Sequence, residues 1–168
     1  TWKLVTASTG ADYARYARES RGLPVANVRW QDYTVDAPVE AVTSFHVFEH
    51  LTEPLAALRH VQGWLKPDGL VYIEVPDMSN ALIKGFGALH MAHTLGFSRY
   101  TVELLGAQAG LAVVEIDEAY DIGMVLRRGT PRSPDRIKAD AVARMARWTR
   151  DSVHRAFWPY TVSKLKKR

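Results

Sequence analysis

The sequence SFHVFEHLTEPLAALRHVQGWLKPDGLVYIEVPD, residues 44–77, carries the clearest information about the fold. It begins within one short apolar run, residues 41–47, and ends with another, residues 70–75, and both read as buried strands. Between them, residues 54–65 place apolar side chains at helical spacing, and KPDG at residues 66–69 predicts a break after that helix. Two strands joined by one helix predict a βαβ unit, and therefore a parallel sheet with a right-handed crossover.

Further strands and helices are predicted on both sides of this unit. Periodicity and turn residues indicate strands at residues 2–7, 25–30, 111–118 and 122–128, and helices at 11–20, 98–109 and 135–157. Only residues 119–121 separate the last two strands, which predicts an antiparallel hairpin. Ser98 is the predicted N-cap of its helix, and Gly110 is predicted to end that helix.

The central stretch resembles the second half of class I S-adenosylmethionine (SAM)-dependent methyltransferases. HVFEH matches the "HVLEH" signature of one branch of that superfamily, and LKPDG with EVP matches its "LKPGG…IEVP" element. The other matching positions are His93 with Phe97 and Ser98, an "H…FS" element, and the run from Val102 to Leu111. The resemblance covers about residues 1–128. It implies an α/β fold: a Rossmann-like methyltransferase sheet, mostly parallel, with a C-terminal antiparallel hairpin.

The resemblance also implies an incomplete sheet. The chain supplies strands two to seven of the family's seven, without the first strand, the glycine-rich turn or the first helix. Since the first strand is central in the family, we expect the missing piece to precede Thr1 in a longer protein. SAM is the implied cofactor, with methyl transfer to an oxygen, nitrogen or carbon atom of a small-molecule acceptor. The missing glycine turn keeps a second hypothesis open, a non-catalytic methyltransferase-like scaffold that has lost SAM binding.

Three residues match positions at which the family contacts its cofactor. Ser8 stands where the family's second strand ends in an acidic residue that binds the ribose hydroxyls. Asp32 follows the third strand, beside the position of the adenine, and His46 ends the fourth strand, at the edge where open α/β sheets bind ligands. Alternatives remain open for each: a turn and N-cap for Ser8, a solvated loop position for Asp32, and a packed histidine for His46.

Other histidines are candidates for chemistry or for metal binding. His90 and His93 lie in the loop that covers the acceptor in the family, where a neutral imidazole could take a proton from a hydroxyl or amine; loop packing is the alternative. His46 and His50 have the i, i+4 spacing of zinc helices, but the order HExxH is absent and the sequence shows no third ligand. No metal site is therefore predicted.

The composition argues against a disulfide-bonded protein, a cysteine-dependent site and a membrane-spanning helix. The chain has 168 residues and no cysteine, which removes disulfides, thiolate metal sites and cysteine nucleophiles and agrees with a cytoplasmic location. No apolar stretch approaches the roughly 20 residues that a membrane-spanning helix needs.

The charge is divided unevenly along the chain. Residues 1–126 carry a net charge of −6 and residues 127–168 a net charge of +10. We therefore predict a methyltransferase-like domain at residues 1–128 and a basic amphipathic helix and tail at residues 129–168. The tail could dock on its own domain, burying Met145 and Trp148, or it could contact a protein partner or an anionic membrane surface. Nucleic acid is not favoured, because the sequence contains no recognised nucleic-acid motif.

Overall fold

The computed structural model describes residues 4–6, 11–80 and 93–165. Its strands and helices are β1 Leu4–Thr6, α1 Ala11–Arg21, β2 Val25–Asn27, β3 Val39–Phe45, α2 Pro54–Trp64, β4 Leu65–Val75, α3 Arg99–Gln108, β5 Leu111–Asp117, β6 Ile122–Arg128 and α4 Pro134–Leu165. Short 3-10 helices occur at Trp30–Asp32, Phe48–His50 and Met78–Asn80. The chain forms two compact units, Thr1–Pro131 and Arg132–Arg168.

The described strands form two sheets. β1 and β2 pair in parallel, and the second sheet has the order β3-β4-β6-β5. β3 and β4 are parallel and adjacent, whereas β6 is antiparallel to both β4 and β5. These pairings confirm the predicted α/β fold class, its βαβ unit and its C-terminal hairpin. The separation into two sheets agrees with the expected lack of a central strand.

The core of the larger sheet follows from the two-residue period of its strands. On β4 and β6 alternate residues are buried on one face: Val71, Ile73, Val75, Ile122, Met124 and Leu126. Ala57 and Leu58 of α2 and Val102 and Leu105 of α3 belong to the same apolar cluster. The intervening residues of β4, Tyr72 and Glu74, are only partly buried, so this strand presents polar groups on the opposite face.

The start of β4 corrects one expectation. The KPDG sequence at residues 66–69 predicts a turn between α2 and the next strand, yet these residues lie inside β4. Leu65 pairs with Val39 and Leu70 pairs with Ala41. Residues 66–69 therefore form an irregular, bulge-like segment between two paired positions of the strand. This segment is tight: a Cβ on Gly69 would lie 3.1 Å from the carbonyl oxygens of both Lys66 and Val39. The KPDG sequence therefore distorts the strand without ending it.

The termini of α3 confirm the predicted signals. The Ser98 hydroxyl accepts a hydrogen bond from the Thr101 amide, and the Thr101 hydroxyl accepts one from the Ser98 amide, which completes a capping box. Gly110 follows the helix with φ 77°, a left-handed conformation that favours glycine. Ser98 and Gly110 therefore fix both ends of the helix that packs against β5 and β6.

The basic tail is one helix, α4, but its apolar stripe is not buried as expected. Ile137 in the first turns is 1% exposed, whereas Val142 and Met145 are 69% and 68% exposed. The predicted burial of Met145 is therefore wrong. The side chain of Trp148 lies outside the described residues. In the described part of the chain, every helix is too short or too polar to cross a membrane.

The uneven burial of α4 predicts different effects for two substitutions. Ile137→Ala should lower the free energy of unfolding by about 2 kcal/mol, the low end of the range for buried isoleucine. Met145→Ala should change it by less than about 0.5 kcal/mol, because an exposed side chain contributes little. Urea titrations of the two variants of the full chain measure both values. Equal losses would show that Met145 is also buried in solution.

Candidate functional site

Among the described residues, a group of polar side chains converges at the C-terminal ends of β3 and β4. His46 directly follows β3, and its amide donates to the Glu74 carbonyl at 2.9 Å, near the end of β4. Glu49 and His50 belong to the 3-10 helix after β3, and Asp121 lies between β5 and β6. Ligands in open α/β sheets bind outside the carboxyl ends of the strands, so this edge is the candidate site.

His46 stands at the centre of three carboxylates. Its Nε2 lies 3.4 Å from Glu74 Oε1 and 3.7 Å from Asp121 Oδ2, and its Nδ1 lies 3.5 Å from Glu49 Oε1. His46 has φ 52°, and it is the one non-glycine residue with a positive φ in the described part of the chain. Such strain is stored where surrounding contacts hold it, often at functional sites. The imidazole is 46% exposed, so a ligand can reach it.

The Glu74 carboxylate is held from two sides. His46 faces Oε1, and the Tyr72 hydroxyl donates to Oε2 at 2.7 Å. This hydrogen bond, with burial adding to it, raises the pKa of Tyr72 to about 12. Gly123 makes room for the phenol, because a Cβ there would lie 2.7 Å from the Tyr72 oxygen. Tyr72 and Gly123 thus fix the orientation of Glu74 towards His46.

The raised pKa of Tyr72 predicts how the stability of the fold depends on pH. A phenol whose pKa is raised above the usual 10.0 stabilises the fold below pH 10, and this contribution is lost as the pH rises through about 12. The absorbance at 295 nm, compared between the wild type and Tyr72→Phe, should show one tyrosine ionising near pH 12. Glu74→Gln and Gly123→Ala should both lower that pKa. Ionisation of Tyr72 near pH 10 in the wild type would contradict this account.

Glu49 is the most deeply buried ionisable group at this edge. Its side chain is 2% exposed, and neither carboxylate oxygen has a hydrogen-bond partner among the described residues. Its carbonyl oxygen accepts bonds from the amides of Thr94 and Leu95, at 2.9 and 3.1 Å, and from the Thr94 hydroxyl at 3.0 Å. These bonds tie the segment after residue 92 to the 3-10 helix. His93 is thereby placed beside His50, with ring centroids 5.0 Å apart.

The structure brings together two of the residues that the sequence proposed. His46 and His93 both lie beside Glu49, although the chain separates them by more than forty positions. Asp32 is elsewhere, in the 3-10 helix after β2, where Arg29 donates to both of its carboxylate oxygens at 2.7 and 3.2 Å. That hydrogen-bonded pair lowers the pKa of Asp32. Ser8 and His90 lie outside the described residues.

Sequence reasoning missed Tyr72, Glu74 and Asp121 as members of the site. One signal was available for the first two: polar residues alternate with apolar ones in a strand that otherwise reads as buried. Asp121 gave no signal, because a polar residue between two antiparallel strands is ordinary turn chemistry.

With this geometry in place, comparison with known proteins identifies the family. Residues 5–116 match the family model described as a methyltransferase domain. The chain belongs to this family. No curated protein matches the chain.

Solved methyltransferase structures share the fold of this methyltransferase domain. NcsB1, an O-methyltransferase from neocarzinostatin biosynthesis crystallised with SAM and a naphthoic acid, superimposes with a TM-score of 0.61 at 18% identity, over 76% of this chain and 41% of its own. The didemethyltoxoflavin N1-methyltransferase of Burkholderia thailandensis, with S-adenosylhomocysteine bound, superimposes with a TM-score of 0.55 at 16% identity. The match covers 74% of this chain and 59% of that enzyme. A SAM-dependent methyltransferase of Clostridium acetobutylicum gives 0.58 at 10% identity, over 74% of each chain. The chain spans about two fifths of the length of NcsB1.

Proposed function

We propose that this methyltransferase domain is part of a SAM-dependent enzyme that methylates an oxygen, nitrogen or carbon atom of a small molecule. The observation that carries the proposal is the group of carboxylates around His46 at the C-terminal ends of β3 and β4. Methyltransferases of the same fold have been crystallised with SAM or S-adenosylhomocysteine, some of them together with a small-molecule acceptor.

The residues at this edge suit the methionine end of SAM. SAM carries a sulfonium and an ammonium cation, and Glu74 and Asp121 offer partly exposed carboxylates next to the half-exposed His46. We propose that His46 and these carboxylates contact that end of the cofactor. We propose Ser8 for the ribose hydroxyls and Asp32 for the adenine amino group. Asp32 can accept a hydrogen bond from the adenine amino group while it keeps its hydrogen bonds with Arg29, because a carboxylate offers about four lone-pair sites.

His93 and His90 are the proposed residues on the acceptor side. SAM supplies an activated methyl group, and its in-line transfer depends mainly on how the two reactants are positioned. A neutral imidazole at His93 can hold or accept the proton that an acceptor hydroxyl or amine releases. His93 lies beside Glu49, whose buried carboxylate would stabilise the imidazolium that results. His90 is a second proposed base from the same loop.

Calorimetry with SAM tests the proposal. The intact protein should bind SAM and S-adenosylhomocysteine at one site, and the double variant Glu74→Gln, Asp121→Asn should bind SAM at least tenfold more weakly. His60→Gln is a matched control, because His60 contacts the Tyr33 carbonyl and lies outside the cluster. No binding by the intact protein at millimolar SAM would favour the non-catalytic scaffold instead.

We also propose a cytoplasmic location and an interaction role for α4. Its described residues expose Val142 and Met145 on a helix rich in arginine and lysine. Such a helix can lie on an anionic membrane surface or against an acidic protein partner. Sedimentation with phosphatidylglycerol vesicles at low and high salt, comparing wild type with Val142→Ser, Met145→Ser, distinguishes membrane binding from a protein contact.

A further inference from the structure

We propose that Glu49, His50 and His93 bind one divalent transition-metal ion of the zinc type. The proposal rests on three features of the described residues: the spacing of the donor atoms, the burial of a carboxylate that has no hydrogen-bond partner among those residues, and the backbone contacts that hold the ligands in place. None of these features depends on SAM binding. The metal site can therefore be tested independently of the proposed function.

The donor atoms are close enough to share an ion. One ligand atom from each of Glu49, His50 and His93 lies within 4.8 Å of the other two. Glu49 Oε1 and His50 Nε2 are 3.8 Å apart. Ligands about 2.0–2.2 Å from a tetrahedral zinc ion stand about 3.3–3.6 Å from each other. The donor atoms would therefore have to approach one another by at most about 1.5 Å to share a tetrahedral ion.

The buried carboxylate is the feature that points to a cation. Within the described part of the chain, both oxygens of Glu49 lack a hydrogen-bond partner although the side chain is 2% exposed. Removing an ionised carboxylate from water costs several kcal/mol unless a nearby positive charge compensates. Among the described residues, the groups within ion-pair distance of this carboxylate are the imidazoles of His46 and His50, at 3.5 and 3.8 Å. A metal ion bound by Glu49, His50 and His93 would place a positive charge directly beside this carboxylate.

The local structure holds the three ligands before any ion arrives. Glu49 and His50 are consecutive residues of the 3-10 helix, so their positions are fixed together. Three hydrogen bonds from Thr94 and Leu95 to the Glu49 carbonyl fix the position of the neighbouring His93. The sequence shows no third ligand beside His46 and His50. The structure supplies a different set, in which His50 is joined by its neighbour Glu49 and by a distant histidine.

The donor set selects the class of ion. Two imidazoles and one carboxylate suit zinc and similar transition metals, whereas magnesium and calcium prefer oxygen ligands alone. Three protein ligands also leave a coordination position open. If the proposed function holds, an acceptor hydroxyl at that position would lose its proton more readily, since a bound cation stabilises the oxyanion. The O–H bond would break with the proton passing to solvent. The oxygen would then form a bond to the methyl carbon of SAM while the bond from that carbon to sulfur breaks, leaving S-adenosylhomocysteine. His93 would in that case act as a ligand of the ion.

Zinc binding by the full chain tests the site without SAM. After dialysis against micromolar Zn²⁺, elemental analysis should find one zinc per chain in the wild type and in His60→Gln. His93→Ala and His50→Ala should each bind at least tenfold more weakly, and Glu49→Gln should do the same while keeping the shape of the side chain. Equal zinc retention by all variants, or none by the wild type, would overturn the proposal.

Two measurements on the wild type test the site even if the ligand variants fail to fold. Zn²⁺ should raise the melting temperature of the wild type, because a ligand that binds only the folded state stabilises it, and Mg²⁺ at the same concentration should not. Co²⁺ should give the visible absorption of a four- or five-coordinate ion in the wild type and in His60→Gln. An unchanged melting temperature together with an octahedral Co²⁺ spectrum would refute the site even if every ligand variant were insoluble.

Discussion

Replacing Ile73 by alanine should lower the free energy of unfolding by about 2–5 kcal/mol. Ile73 is 0% exposed on β4, where Ser44 of β3 and Met124 of β6 are its partners in the sheet. Truncating its side chain removes apolar contacts and leaves a cavity that the neighbouring strands cannot fully close. Val114→Ala is the matched control, because Val114 belongs to the same sheet but is 51% exposed. Its expected loss is less than about 0.5 kcal/mol.

Urea titration of the two variants measures both effects, and the tyrosine titration adds a second readout. Ile73 lies between Tyr72 and Glu74, whose side chains form the polar face of β4. If the cavity disturbs the strand, the high pKa of Tyr72 should fall towards its usual value in Ile73→Ala and stay high in Val114→Ala. A loss below 1 kcal/mol in Ile73→Ala would mean that the sheet repacks around the missing atoms.

The fold was predictable because its main signals are local. The βαβ unit follows from apolar spacing within about thirty residues, and Ser98 and Gly110 act on the helix that they flank. The KPDG sequence shows the limit of local reasoning. Its residues favour a turn, but the parallel partner strand pairs with the chain on both sides of them and retains them inside β4. Tertiary pairing therefore overrode a local turn preference.

The site was less predictable because its contacts are distant in sequence. Nothing near His50 indicates that Thr94 and Leu95 would bind the Glu49 carbonyl and bring His93 alongside. Asp32 shows a different limit: its bond to Arg29 is local, but the choice between an ion pair and a free carboxylate depends on side-chain conformation. Burial along α4 likewise depends on what covers the helix, which a stripe of apolar residues does not specify.

Two substitutions of His46 should separate its backbone strain from its chemical role. A positive φ costs an ordinary L-residue about 1–2 kcal/mol, and glycine avoids this cost. His46→Gly should therefore leave the free energy of unfolding within about 1 kcal/mol of the wild type, since the strain it removes is offset by the greater freedom of glycine in the unfolded chain. His46→Val should lose about 1–2 kcal/mol more than His46→Gly, because a branched Cβ is poorly tolerated at φ 52°.

Both variants lack the imidazole and thus lose the same contacts with Glu49, Glu74 and Asp121. If His46 contacts SAM as proposed, calorimetry on the intact protein should show weaker SAM binding in both, by about 10–100-fold, the equivalent of about one hydrogen bond to a charged group. The stabilities should differ between the variants while the affinities should not. Unchanged SAM affinity in His46→Gly would assign His46 to packing alone, and equal stability of the two variants would mean that the left-handed conformation is not retained in solution.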